Sequence, residues 1–397
     1  MTRTMLPRTL PLALAAATLP GCTGGAEQGE HDNVPPQAFV EGISPAVRDR
    51  NKAVVVDPTV DYGLALRTAA LKLVGAYPTL AEIKELQAAS DPAAVFAKRI
   101  AAYLADPRFS FEQVAFWRDT FKLGGTRNLG MLGTVNMDSA PMFAASLVVS
   151  GRPFTEVLTA SSGTCPTLAA NGTFTPANCA NGIEAVGVLT DPGVQSQFFS
   201  SMAFRRVRWV QETFICTKFP AEISDRKEQR PGGTYYSPWP FTSISGGKDA
   251  RVDFHDDRSL ICANCHSTMN HIAPLFGKFD EAGRPTPNYA VRTPIPGSPP
   301  TLFTDWLPPT EMTAWRFGVP TANLKALGAA IAADPDMPRC IATRIWNWAL
   351  SRGDVVVDQA TVPKDLGEQL RASFVASNYN LKQLIYDVFT SATFVRY

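Results

Sequence analysis

The chain has 397 residues, 45% of them hydrophobic, with 37 basic against 36 acidic side chains and a formal net charge of +1. That apolar content over that length allows a large core, divided among two or three lobes. The even charge balance argues against nucleic acid as a partner, since its binders carry a basic patch.

Residues 1–21 read as a signal peptide. Arg3 and Arg8 form a positive start, and the apolar run from Leu10 to Leu19 is too short to span a bilayer. The segment ends in Leu19-Pro20-Gly21-Cys22, which resembles a bacterial lipobox and implies a lipidated Cys22. An ordinary secretory signal with an incidental Cys22 is the alternative. By resemblance to sorted lipoproteins, Thr23 favours the outer membrane, facing the periplasm or the exterior. Residues 22–59 then form a lipidated tether, polar and weakly hydrophobic at its start.

From residue 60 to 215 the pattern is helical, as expected of an N-terminal helical domain. Leu66, Ala70, Leu73 and Val74 share one face with Ala69. Thr79 with Glu82 forms a capping box that opens a helix running through Ala89. Asp91-Pro92 starts another, with Phe96, Ile100 and Leu104 on one face. Phe111, Val114, Ala115, Phe116 and Phe121 carry a fourth, ended by Gly124-Gly125. Residues 126–200 are punctuated by Gly, Asn and Pro, with a short helix expected over Phe154–Ala160. Phe204 to Ile215 returns to helix and delivers Cys216.

Residues 216–310 form a segment of a different kind. Cys262-Ala263-Asn264-Cys265-His266 places two cysteines three apart with a histidine after the second, the attachment pattern of a c-type haem (heme c). On a helical turn, i and i+3 share a face, so both sulfurs reach one porphyrin while His266 reaches its iron as proximal ligand. A redox dithiol or half of a zinc site are the alternatives, although no second CxxC or HxxxH supplies the rest of a zinc site. The motif is flanked by 217–253, rich in Pro, Gly, Ser and aromatics such as Tyr235, Tyr236, Trp239 and Phe241, and by 285–309, with eight prolines. Both read as extended chain covering the porphyrin edge, or else as linkers. Helices resume over 324–333, 337–350, 366–376 and 381–389 in a C-terminal helical domain, 311–397. The expected fold is mainly α, multi-lobed, with a loop-wrapped c-type haem segment.

Cysteine arithmetic fits this picture. With Cys22 taking lipid and Cys262 and Cys265 taking haem, Cys165, Cys179, Cys216 and Cys340 remain. An even remainder in an oxidising compartment reads as two disulfides: a local Cys165–Cys179 bridge and a long-range Cys216–Cys340 bridge across the haem segment.

The distal iron ligand is less determined. Met269 and His271 follow His266 too closely, because rounding the porphyrin takes a path of roughly 20 Å, at least six extended residues at ~3.4 Å each. His255 lies seven residues before Cys262 and has enough chain to reach the far face. Met312, Met337 and an open five-coordinate iron stay as alternatives. Trp306, Trp315, Trp346 and Trp348 either line the haem or belong to the core.

The motif continues through Ser267-Thr268-Met269-Asn270 to Phe279-Asp280 and Gly283-Arg284. This run resembles the haem segment of cytochrome-c-like CxxCH lipoproteins typical of planctomycetes and myxobacteria, whose role is largely uncharacterised. LRTAALKLVGAYPTLAEI at 66–83 and LADPRFSFEQVAFWRDTF at 104–121 resemble their N-terminal module. GVLTDPG at 187–193 with RRVRWVQETFIC at 205–216 resembles the stretch before their haem motif, and RCIATRIWNWALSRG at 339–353 with LRASFVASNYNLKQLIYDVFTSATF at 370–394 their C-terminal module. His271 departs from the family, which usually carries proline there. Three functional readings follow: a lipid-anchored electron carrier with a redox partner protein yet to be named, a haem enzyme of the peroxidase or oxygenase type, or an envelope binding module with accessory haem. No GxSxG or HExxH motif supports independent catalysis.

Overall fold

The computed structural model describes residues 58–200, 202–218, 227–230, 233–236, 260–292 and 299–397. The expected signal peptide, Cys22, most of the tether, His255, and Trp239 and Phe241 of the loop before the haem motif lie outside the described residues.

The first three helices start at side-chain caps. Helix α1 (Tyr62–Val74) starts where Asp61 accepts the Leu64 N–H at 2.9 Å, and it buries Ala65, Leu66, Ala69, Ala70, Leu73 and Val74. Helix α2 (Leu80–Gln87) opens on the reciprocal Thr79–Glu82 box. Helix α3 (Pro92–Ala105) has Asp91 accepting from Ala94 and buries Phe96, Ile100 and Leu104. Helix α4 (Arg108–Phe121) differs from expectation in two respects. Its buried stripe is Phe109, Gln113, Val114, Trp117 and Phe121, which turns Phe111 out to 40% exposure. It also stops at Lys122, not at the glycine pair: Lys122 adopts φ 56° and its N–H bonds the Arg118 carbonyl, closing the last turn early.

Helix α5 (Ser139–Ser150) has no counterpart among the expected elements. Ala140, Phe143, Ala144, Ala145, Leu147 and Val148 are fully buried. It packs against α4 and also against the short helices α6 (Glu156–Thr159) and α7 (Pro192–Gln197). Only Met142, Ser146, Val149 and Ser150 reach solvent, and none is charged, so the sequence carries little amphipathic period.

Helix α8 (Phe204–Phe214) leads to Cys216, and α9 (Leu260–Phe276) carries the CxxCH motif and packs on α8. Helices α10 (Leu324–Ala332), α11 (Asp336–Ala349), α12 (Lys364–Ala376) and α13 (Leu381–Phe389) match the expected C-terminal helices to within two residues at each end. Strands among the described residues are four two-stranded antiparallel ribbons: β1/β2 (Thr126–Asn128, Thr134–Asn136), β3/β4 (Thr167–Leu168, Phe174–Thr175), β5/β6 (Lys227–Arg230, Gly233–Tyr236) and β7/β8 (Ala314–Trp315, Val319–Pro320). The chain is mainly α. No helix among the described residues is long and apolar enough to cross a membrane.

Residues 59–397 form one unit by their contacts, and the early and late helices share a core: α11 packs on α1 and α8, while α13 packs on α3 and α5. Thr59 and Tyr397 exchange both backbone hydrogen bonds, at 3.1 and 3.0 Å. At the centre of the packing, Arg206 of α8 is fully buried. Its guanidinium donates to the carbonyls of Gln195 (2.6 Å), Phe276 (2.5 Å) and Asp280 (3.5 Å), with the Phe199 and Phe279 rings beside it. Burial pushes its pKa down to about 9, and the charge of Asp280 pulls it back up. The side chain stays cationic at neutral pH.

Truncating it strands buried carbonyl oxygens without a donor. Arg206→Ala is expected to lose about 3 kcal/mol of unfolding free energy, and Arg206→Lys most of that, because an ammonium cannot span the three acceptors. Urea unfolding followed by circular dichroism checks both values.

Candidate haem-attachment site

The CxxCH motif lies wholly within α9, so Cys262 and Cys265 stand one turn apart on the helix. Cys265 is half-buried and His266 is 8% exposed. Two neighbours orient the His266 ring. Phe204, the first residue of α8, meets it edge-on with centroids 5.0 Å apart, and Asn270, one turn further along α9, lies with Oδ1 2.9 Å from Nδ1. A carboxamide oxygen only accepts, so Nδ1 is the donor, and in the neutral ring the lone pair sits on Nε2. Asn270 is itself buried, at 6% exposure.

The far end of α9 is fixed by other means. Pro274 lies inside the helix and has no N–H to give the Asn270 carbonyl four residues back. After Phe276 the chain turns through Asp280, whose Oδ1 accepts from the Ala282 and Arg284 N–H groups, while Arg206 holds the Phe276 and Asp280 carbonyls. A side chain at Gly277 would meet Tyr289 and Trp306 at 2.6 and 2.9 Å, so the backbone there runs directly under those rings. Strand β7 also packs on α9.

His271 is half-buried, with Nε2 3.0 Å from Glu311 Oε2, and Met269 packs against the core. Met269 is thus a packing residue, whereas His271 makes a polar contact with Glu311. Met337 is fully buried on α11 and Met312 is 72% exposed. Trp306, Trp315 and Trp346 are buried in the core; Trp306 donates to the Met202 carbonyl at 3.0 Å and Trp315 to Asp334 at 2.8 Å. Trp348 packs between Phe116 and Phe389. His255 lies outside the described residues. Both expected disulfides are present: Cys165–Cys179, with Cα atoms 5.0 Å apart, and Cys216–Cys340, with Cα atoms 5.3 Å apart.

Sequence reasoning passed over Asn270, Phe204 and Arg206. Asn270 had a signal, its i+4 spacing from His266, whereas Phe204 and Arg206 reach α9 only through tertiary packing. Among the described residues, the one His, Cys, Asp and Glu group close enough to share an ion is Cys165, Cys179 and Asp191. Its two sulfurs are bonded to each other and are not thiolate ligands.

Comparison with family models, curated proteins and solved structures finds no match to this chain.

The Cys216–Cys340 bridge closes a sequence separation of 124 around α9. Replacing both cysteines by serine is expected to cost about 4 kcal/mol of stability, mostly through a freer unfolded chain. Chemical denaturation of the variant, with peptide mapping of the wild type under non-reducing conditions, tests the value and the pairing together.

Proposed function

We propose that this chain is a monohaem c-type cytochrome that transfers single electrons at the cell envelope, anchored through lipid on Cys22. The observation that carries the reading is the pairing of Asn270 Oδ1 with His266 Nδ1 at 2.9 Å, directly after the second cysteine of the motif. A histidine that is to bind a metal through Nε2 needs its other nitrogen held by an acceptor, which sets the tautomer, aims the ring and raises its basicity. Cys262 and Cys265 would hold the porphyrin by thioether bonds, His266 would supply the proximal nitrogen, and His255 the distal one. The bound haem would provide one-electron redox chemistry. The protein's own part is to fix the His266 ring between Asn270 and Phe204 and to keep it out of water. The lipobox-like Cys22 and the two disulfides support an envelope location, where disulfides persist.

Protein matured with the c-type haem machinery should retain haem after acid–acetone extraction, with one haem mass added. Cys262→Ala combined with Cys265→Ala should abolish that. A wild-type protein lacking covalent haem after maturation would sink the reading.

His255→Ala should turn a low-spin spectrum into a high-spin one that binds carbon monoxide readily. A wild type that is already high-spin would promote the haem-enzyme reading instead. Asn270→Leu should keep the covalent haem and raise its midpoint potential, because a less basic imidazole favours the oxidised iron less. Potentiometric titration reads that shift.

A further inference from the structure

The local disulfide has a neighbour that a purely structural bridge does not require. Cys165 and Cys179 sit at the base of the β3/β4 hairpin, where the Cys165 N–H bonds the Ala177 carbonyl at 2.8 Å. The hairpin tip is pinned to α4 by Ser110, which donates to the Gly172 carbonyl at 2.7 Å. Both cysteines are half-buried, and Cys179 follows an exposed stretch, residues 175–178. Behind the bridge lies Asp191, 1% exposed, with Oδ2 3.8 Å from Cys165 Sγ. On the other side the Thr164 hydroxyl, 1% exposed as a residue, is 3.5 Å from Cys179 Sγ. One sulfur thus faces a carboxyl group and the other a hydroxyl.

The geometry points to a thiol–disulfide exchange site at Cys165–Cys179, reduced by a dithiol, in which Asp191 delivers the proton to the departing Cys165 sulfur. A thiolate of the dithiol attacks the half-buried Cys179 sulfur, reached from the exposed stretch 175–178, and forms a mixed disulfide. The Cys165–Cys179 bond breaks, its electron pair stays on Cys165, and the Asp191 carboxyl gives that sulfur its proton. The second thiol of the reductant, as thiolate, then attacks the mixed disulfide and releases Cys179 as a thiolate beside the Thr164 hydroxyl. The protein gains two electrons and the dithiol becomes a disulfide.

The electrostatics of Asp191 agree with that role. Burial pushes its pKa up to about 6, against weaker opposing hydrogen bonds from Ser139, Val194 and Gly193. Those groups, with the two sulfurs, are what face it from α5, α7 and the hairpin, and no charged side chain among the described residues adds to the shift. Below about pH 6 the carboxyl carries the proton the leaving sulfur needs. Above it, a buried carboxylate repels the thiolate forming 3.8 Å away.

The test uses the full chain and dithiothreitol, with alkylation quench and mass spectrometry to follow each disulfide separately. Expressed per reductant thiolate, the rate for Cys165–Cys179 should fall at least tenfold from pH 5 to pH 8, with its inflection near 6. Cys216–Cys340, followed in the same molecules, should show no such inflection. Asp191→Asn keeps an acceptor for the Val194 N–H and removes the proton, so it should flatten the profile of the local bridge alone. A flat wild-type profile, or the same inflection at both disulfides, would leave Cys165–Cys179 as a structural bridge and overturn the proposal. The wild-type comparison decides the matter even if the variant does not fold.

Discussion

The Arg206 guanidinium is the point on which the arrangement around α9 depends. A charge taken out of water is tolerated only when its donors are matched, and here backbone carbonyls from α7, from the end of α9 and from the Asp280 turn supply the acceptors. Gln195 lies some eighty residues before Phe276 and Asp280 in the chain, so Arg206 joins two separate stretches. The planar fork fixes them at set distances, where a lysine would act as a single point charge. The position of His266 relative to Phe204 follows, since Phe204 lies two residues before Arg206 on α8 and His266 ten residues before Phe276 on α9.

The two disulfides act at different scales around that centre. Cys216–Cys340 ties the end of α8 to α11 and restricts the unfolded chain over a long loop that contains the CxxCH motif. Cys165–Cys179 closes only a hairpin, separated by 14 residues, and constrains the unfolded chain less. Its carboxylate neighbour Asp191 also caps α7, where Oδ1 accepts the Val194 N–H at 3.0 Å, although burial disfavours its charged form.

Much of the fold was legible where local chemistry decides it. Thr79 and Asp91 are side-chain caps that mark helix starts without any tertiary information, and Asp61, Asn323 and Asn380, which the spacing did not single out, cap others. The disulfide pairs were legible by elimination, once the lipobox and CxxCH cysteines were set aside. Features set by three-dimensional enclosure were not legible. Helix α5 lacks a charged face, Phe111 points outward because Phe109 and Trp117 claim the buried stripe of α4, and Lys122 ends that helix through backbone geometry that a lysine does not advertise. In the site, the motif itself was plain. The partner of His266 was available from i+4 spacing, but an asparagine in a helix has many other uses, and only the distance singles it out.

The hydrogen-bonded pair Thr59–Tyr397 puts the entrance and exit of the folded body at one spot. Covalent order is then nearly incidental to the native contacts. Linking residue 397 to residue 59 with a few flexible residues, and cutting instead at the fully exposed tip around Met131, would leave all of the packed helices in place.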